Sequence, residues 1–370
     1  MPLTAGQLQF IVDSSLDFYF NKGTSFAQTI QDRPLVAIME GKAKSFPGGK
    51  GAISVAVKGA FGAAGVNDGL KGFDYDDTVL FYNPANLARL SFTWREMHLG
   101  LSLTLTELKN DGISVVNSLD SASTSNHSGR EKTALINILD DKLADFAEQY
   151  GRSMNTLSWG DGTADAKGFH GLRHFIVADP TIGTVGGMNR ATPANAYIRN
   201  RARTAAFQAK VAITPALAVH GGNAVTSSAA NGGALIQALQ NEKRQLTRYG
   251  GKPDVFLCGS DFIAAYEAEI KANGNYSLNG FKGAQDGAIG NVLFDGTKIM
   301  YDPTLDDLGL QKRAYWFDSN HIMLMKMEDE WRKTHAPARP PAQFLMYRSI
   351  TSTGQFIAKQ LNSSLVIDIA

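Results

Sequence analysis

The chain is 370 residues long, with 44% hydrophobic and 19% charged residues and a formal net charge of +1. That length suits one large domain or two medium ones with a sizeable core, and the composition excludes an intrinsically disordered chain. The near-zero charge excludes a surface that binds nucleic acid all round but leaves room for a local basic patch. The lone cysteine, Cys258, excludes an internal disulfide and a thiolate-rich metal site. Met1–Phe10 carries no basic leader and no apolar core of a signal, and no apolar run approaches the roughly 18 residues that span a bilayer. The expectation is a soluble protein made inside a cell.

Residues 1 to about 48 have mixed polarity, a short helical pattern around Leu8 to Phe20, and no core of their own. They read as an arm that gains stability by lying on something else. A two-residue alternation then places Ile53, Val55 and Val57 on one side and Ser54, Ala56 and Lys58 on the other. After a Gly-rich stretch from Gly59 to Gly72, alternation returns at Leu90, Phe92 and Trp94, and again from Leu99 to Leu105. Asp111-Gly112 marks a turn before Ile113 to Val116. The spacing predicts long strands folded back on each other as a ribbon that needs another surface to cover its apolar side.

A polar loop from Ser118 to Ser128 leads into the strongest helical pattern, in which Ser128 and Glu131 form a capping box. Leu135, Leu139, Leu143, Phe146, Tyr150, Met154 and Leu157 make one stripe in steps of three and four. From Arg130 to Leu157 such a helix is ~40 Å long, and Trp159-Gly160-Asp161-Gly162 ends it. From residue 231 the pattern becomes α/β. A helix carries Leu235, Ile236, Leu239 and Leu246 to Gly250-Gly251, a buried-type strand spans Val255 to Cys258, and a second helix opens at Ser260 or Asp261. Val292 to Tyr301 reads as a hairpin about Asp295-Gly296, and Ala314–Phe317 with His321–Met327 as another strand pair. A β-rich tail runs from Tyr347 to Ile369.

The search for chemistry finds little. The lysines that follow glycine, Lys42, Lys50 and Lys252, lack the Ser or Thr of a phosphate-binding loop, and Gly259-Ser260-Asp261 lacks the context of a nucleophile elbow. His170 and His174 have zinc-site spacing but no third ligand nearby, so packing histidines are the expectation, with a metal hydrolase as the rival. Cys258 reads as a core residue, and the pairs Asp140-Asp141 and Asp306-Asp307 as solvated faces. No catalytic, cofactor-binding or metal residue is expected, and the chain is not expected to be an enzyme. One charge cluster stands out: Arg190, Arg199, Arg201 and Arg203, with Lys210 beyond, read either as facing phosphate of packaged nucleic acid, as an intersubunit surface, or as a solvated loop.

The order of arm, β-ribbon, long helix, α/β domain and closing β tail resembles the major capsid proteins of tailed bacteriophages, whose architecture is the α+β Hong Kong 97 fold. Arg130-Glu131-Lys132-Thr133-Ala134-Leu135, Gly171-Leu172-Arg173-His174, Ile182 to Gly187 and Tyr347-Arg348-Ser349-Ile350 each look like capsid segments. The resemblance implies an N-terminal arm over residues 1–48, an extended loop over 49–108, a peripheral domain over 109–213 with a spine helix at about 130–157, an axial domain over 214–330, and a return to the peripheral domain over 331–370. It implies self-association into hexamers and pentamers of an icosahedral head, a portal and a separate scaffold or cement protein as partners, packaged DNA held non-specifically on the inner face, and a virion location after assembly in the host cytoplasm. Ile53, Val55, Val57, Phe92 and Trp94 become the intersubunit ribbon. Lys50, Lys58 and Lys71 with Asn362 make a covalent Lys–Asn cross-link conceivable, but no local motif supports it. Rival readings are an encapsulin-type compartment shell, which shares the fold, and another phage structural protein such as a tail component.

Overall fold

The computed structural model describes residues 31–59, 72–78, 87–104, 129–207, 221–222, 224–225, 234–272, 292–335 and 345–370. The helical pattern at Leu8 to Phe20, most of the Gly-rich stretch, the segment from Leu105 to the Ser128 cap, and Lys210 lie outside the described residues, as do the side chains of Leu135, Leu139 and Leu143.

The first helix, α1 (Pro34–Gly41), opens on a proline, where no amide is required, and buries Leu35 and Met39 on one face. β1 (Lys44–Phe46) follows. β2 (Ala52–Lys58) and β3 (Leu87–Thr93) then pair antiparallel, with Ile53 opposite Phe92, Val55 opposite Leu90 and Val57 opposite Ala88. β4 (Arg95–Thr104) does not prolong this ribbon, although the sequence reading included it in the extended loop. It pairs instead with Leu345–Gly354 far along the chain, Thr104 opposite Leu345 and Arg95 opposite Gly354. Alternation defines a strand but is silent about its partner.

The long helix α2 (Gly129–Trp159) has 31 residues and a length of ~46 Å. It ends where the sequence predicts, with the Gly160 amide bonded to the Leu157 carbonyl at 3.0 Å. Gly171 packs on this terminus so closely that any side chain there would strike the carbonyls of Leu157, Ser158 and Gly160. α3 (Leu172–Phe175) is a single turn. β5 (Thr184–Val185) and β6 (Met188–Asn189) form a hairpin whose two loop residues, Gly186 and Gly187, have φ of 55° and 87°. A 3-10 segment (Pro193–Ile198), β7 (Arg201–Arg203) and β8 (Gly221–Gly222) come next.

α4 (Ala234–Thr247), β9 (Val255–Cys258) and α5 (Ser260–Ala272) match the α/β expectation. Their helix starts are capped from a distance: Glu269 accepts from the Leu235 and Ile236 amides, and Asp306 from the Ser260 amide at 3.0 Å. β10 (Leu293–Phe294) and β11 (Thr297–Tyr301) are the anticipated hairpin, with Asp295 and Gly296 at φ of 46° and 80°. α6 (Pro303–Asp307), β12 (Arg313–Phe317), β13 (Ile322–Met327), β14 (Lys333–Thr334), β15 (Leu345–Ala358) and β16 (Leu365–Asp368) complete the chain.

The chain divides into two compact units. One contains Arg95–Thr156 and Lys326–Gly354; the other contains Asp32–Trp94, Leu157–Met325 and Gln355–Ala370. In the first, β15 pairs with β4 on one side and β14 on the other. The Tyr150 hydroxyl of α2 lies 2.7 Å from Ser352 Oγ, and the Arg332 guanidinium stands 5.3 Å over the Tyr150 ring.

The second unit holds a seven-stranded mixed sheet in the order β10-β11-β9-β12-β16-β7-β8. It draws in β7 and β16, which lie outside residues 214–330. Leu235, Leu239 and Leu246 of α4 and Phe262 and Tyr266 of α5 pack on Phe256, Ile299, Trp316, Leu365 and Ile367 of the sheet. The anticipated β12–β13 pair does not form. β12 is inserted between β9 and β16, with Tyr315 opposite both Leu257 and Val366, and β13 belongs to another sheet. The physical reason is composition: Ala314 to Phe317 are all buried, so the strand requires neighbours on both edges and cover on both faces.

Candidate functional site

The β2–β3 ribbon obeys its alternation: Ile53, Val57, Leu90 and Phe92 are buried, and Ser54, Lys58, Arg89, Ser91 and Thr93 are exposed. Part of the apolar face is covered by the chain itself. Phe92 meets Phe175 edge-on at 5.9 Å. Gly186 lies against Leu90, where an added Cβ would approach the Leu90 Cβ to 2.7 Å, and its carbonyl accepts from the Ser91 amide at 3.0 Å. Trp94 donates from its indole to the Lys50 carbonyl at 3.0 Å and tilts against Phe46 at 5.8 Å. Val55 alone of the three inward β2 residues is half-buried. The described ribbon base is thus fixed to its own chain.

The arginine cluster is also committed internally. Arg190 is fully buried, donating to the carbonyls of Phe175 at 2.6 Å and His174 at 3.3 Å and to Asn200 Oδ1 at 3.3 Å. Burial lowers its pKa to about 10, which leaves it charged at neutral pH. Arg199 donates to the Arg190 carbonyl at 2.8 Å. Arg201 and Arg203 both bind the buried Glu242 of α4, at 2.5 Å and 2.7 Å, and Arg203 keeps 26% of its side chain exposed. Arg190, Arg199 and Arg201 therefore tie turns and strands of one subunit together. Their carbonyl partners come from turns that carry no sequence mark.

His170 and His174 do come together, with ring centroids 4.2 Å apart, and His174 Nδ1 lies 3.2 Å from the Asp161 carbonyl. Burial first, then the neighbouring His170, lowers the His174 pKa to about 4; the Asp161 carbonyl opposes this, and the Arg190 charge adds a smaller push downward. The His170 ring also closes on Gly162, which sits at φ 81° and would meet it at 3.0 Å with any side chain. Cys258 is buried in the sheet with its thiol 3.5 Å from the Met300 carbonyl, and burial, aided by Asp306 and Asp302, pushes its pKa up to about 12. A thiol so suppressed is a poor nucleophile. Among the described residues no group of three or more His, Cys, Asp or Glu is placed to hold a metal, and no helix is long and apolar enough to cross a membrane.

Two surface features escaped the sequence reading. One is a cleft of about 840 Å³ at the ribbon base, bounded by Val57, Lys58, the 3-10 segment, the end of α4 and Lys359 to Asn362. Its wall comes from five separate stretches of chain, Leu90 of β3 among them, which no local pattern links. The other is the turn Phe73–Asp77, fully exposed although it carries two aromatic rings. Its Asp-rich spelling was a signal available in the sequence.

No protein-family model matches the sequence, and no curated protein does. Solved structures match over nearly the whole chain. The capsid asymmetric unit of cyanophage A-1(L) superposes at a TM-score of 0.60 and 15% identity, covering 94% of this chain and 96% of that one. The capsid of Myoviridae phage XM1 gives 0.52 at 12% identity, covering 95% and 97%. The mature capsid of bacteriophage PhiM1 gives 0.52 at 9% identity, covering 94% and 90%. At these identities the likeness defines architecture: the chain has the mixed α and β fold of phage capsid proteins from end to end.

Proposed function

We propose that this chain is the major capsid protein of a tailed bacteriophage, a building block that assembles with copies of itself into hexamers and pentamers of an icosahedral head around double-stranded DNA. The observation that carries the reading is the match to the cyanophage A-1(L) capsid over 94% of this chain and 96% of that one. A shared fold is in general a weak guide to activity. It is a stronger guide here, because a shell subunit acts through its shape.

The mechanism is mechanical and assigns the chain no catalytic step. Head-to-tail contacts that close on themselves give rings, and rings of five and six tile a closed surface. Obligate interfaces of this kind bury ~2,000–5,000 Å². The buried Arg190, Arg199 and Glu242 ties fix the subunit's shape, while the ribbon's outward face remains available to neighbours. In this reading the ribbon lies across a neighbouring copy, residues 214–330 surround the five- and six-fold axes, and a portal, a scaffold or cement protein and packaged DNA are the other partners. Sedimentation velocity of the protein, expressed alone and with its neighbouring genes, tests the proposal. Closed shells sediment as a sharp boundary far faster than any small oligomer, whereas a single boundary at monomer to hexamer size contradicts it.

A further inference from the structure

We propose that the exposed turn Phe73–Asp77 of one copy docks in the basic cleft at the ribbon base of a second copy. This rests on the shell reading and names one of its contacts. The Asp74 amide donates to Asp77 Oδ2 at 2.9 Å and the Asp77 amide to the Asp74 carbonyl at 3.0 Å, which closes a β-turn with Tyr75 and Asp76 at its corners. The turn is therefore preorganised, which reduces the entropic cost of docking. Phe73 is 71% exposed and Tyr75 entirely so. An aromatic side chain typically buries ~150–250 Å² when it docks, and rings projected into water on a rigid turn mark a contact site.

The cleft matches this occupant in size, charge and lining. Its volume of about 840 Å³ falls in the range of sites that enclose a small ligand or a short peptide turn. Val57, Tyr197 and Leu361 supply apolar wall, Lys58, Arg201, Arg248 and Lys359 supply positive charge, and no carboxylate lines it among the described residues. Gly59 lets the Tyr197 ring approach, since a Cβ there would come within 2.8 Å of it. Three carboxylates of the turn, Asp74, Asp76 and Asp77, would face Lys58, Arg248 and Lys359 of the cleft, an arrangement that steers association and fixes register. A nucleic-acid phosphate backbone would satisfy the cations but would leave the exposed rings of the turn in water.

The test uses full-length protein carrying Tyr75→Cys and Lys359→Cys together. Cys258, the only native thiol, is buried and does not compete. Mild oxidation of assembled shells is expected to give a ladder of disulfide-linked chains on a non-reducing gel, absent from either single variant. In a second arm, lysine at Asp74, Asp76 and Asp77 is expected to lower shell yield at least tenfold, and glutamate at Lys58, Arg248 and Lys359 to restore it. Shells from the double-cysteine variant without a ladder, or a monomer-sized band closed on itself, would overturn the proposal. So would a charge-reversed cleft that leaves shell yield intact but abolishes retention on immobilised duplex DNA. A wild-type chain that never closes into shells would refute the underlying reading instead, and that result is visible before any variant is made.

Discussion

The seven-stranded sheet and the β2–β3 ribbon use the same two-residue alternation to different ends. Strands β9 and β12 are buried on both faces, with Phe256 and Trp316 under the helices and Tyr315 on the opposite face against Trp159 at 5.3 Å. The ribbon is buried on one face only, by Phe175 and the Gly186 hairpin, and presents Ser54, Lys58, Arg89 and Ser91 outward. The sheet is finished within one chain. The ribbon is anchored within one chain and still has a face and edges to offer. Substitutions in the sheet should therefore act on folding, and substitutions on the ribbon's outer face on assembly.

The largest expected effect lies in the sheet. Trp316 is fully buried, and Trp316→Ala should lose about 3–5 kcal/mol in urea denaturation, whether or not shells form. A loss below about 1 kcal/mol would break the claim that this layer holds the subunit together. Next comes Glu242→Leu, which strands the Arg201 and Arg203 guanidiniums. It should cost about 3 kcal/mol by the same measurement, with the Arg201→Met variant partly offsetting it in a double-mutant cycle.

The two faces of the ribbon sharpen the contrast. Val57→Asp places a carboxylate on the buried face and should destabilise the unassembled subunit by at least ~2 kcal/mol. Ser54→Asp, on the exposed face, should change its stability by no more than about 0.5 kcal/mol and be read only in shell yield. Equal effects of the two on thermal unfolding of the lone subunit would erase the distinction. A separate effect concerns pH. His174 has its folded pKa lowered to about 4 from 6.5, so the unfolded chain binds the proton first as pH falls. Its contribution is fully present above pH 6.5 and is lost as pH drops toward 4, on the order of 3 kcal/mol in all. Replacing His174 with Asn should flatten the stability profile across that window.

The elements were largely legible in the sequence, because periodicity reports local geometry. The α2, α4 and α5 helices, the Asp295-Gly296 hairpin and the β2–β3 alternation all appear within a residue or two of where the pattern puts them. Partnership was less legible. The pairing of β4 with β15, and of β12 with β9 and β16, depends on which apolar faces remain uncovered after the chain has collapsed. Charge was least legible. The run of arginines from Arg190 to Arg203 looks like a binding surface until Glu242 and the carbonyls of His174 and Phe175 close around it, and none of these partners lies in the same segment. The cleft shows the same limit, since Lys58, Arg248 and Lys359 meet only in three dimensions.

Negative-stain electron microscopy of the wild-type protein, expressed with its neighbouring genes, tests the central claim most directly. The account predicts closed icosahedral particles of uniform size. Discrete small oligomers, or open tubes that never close, would contradict it.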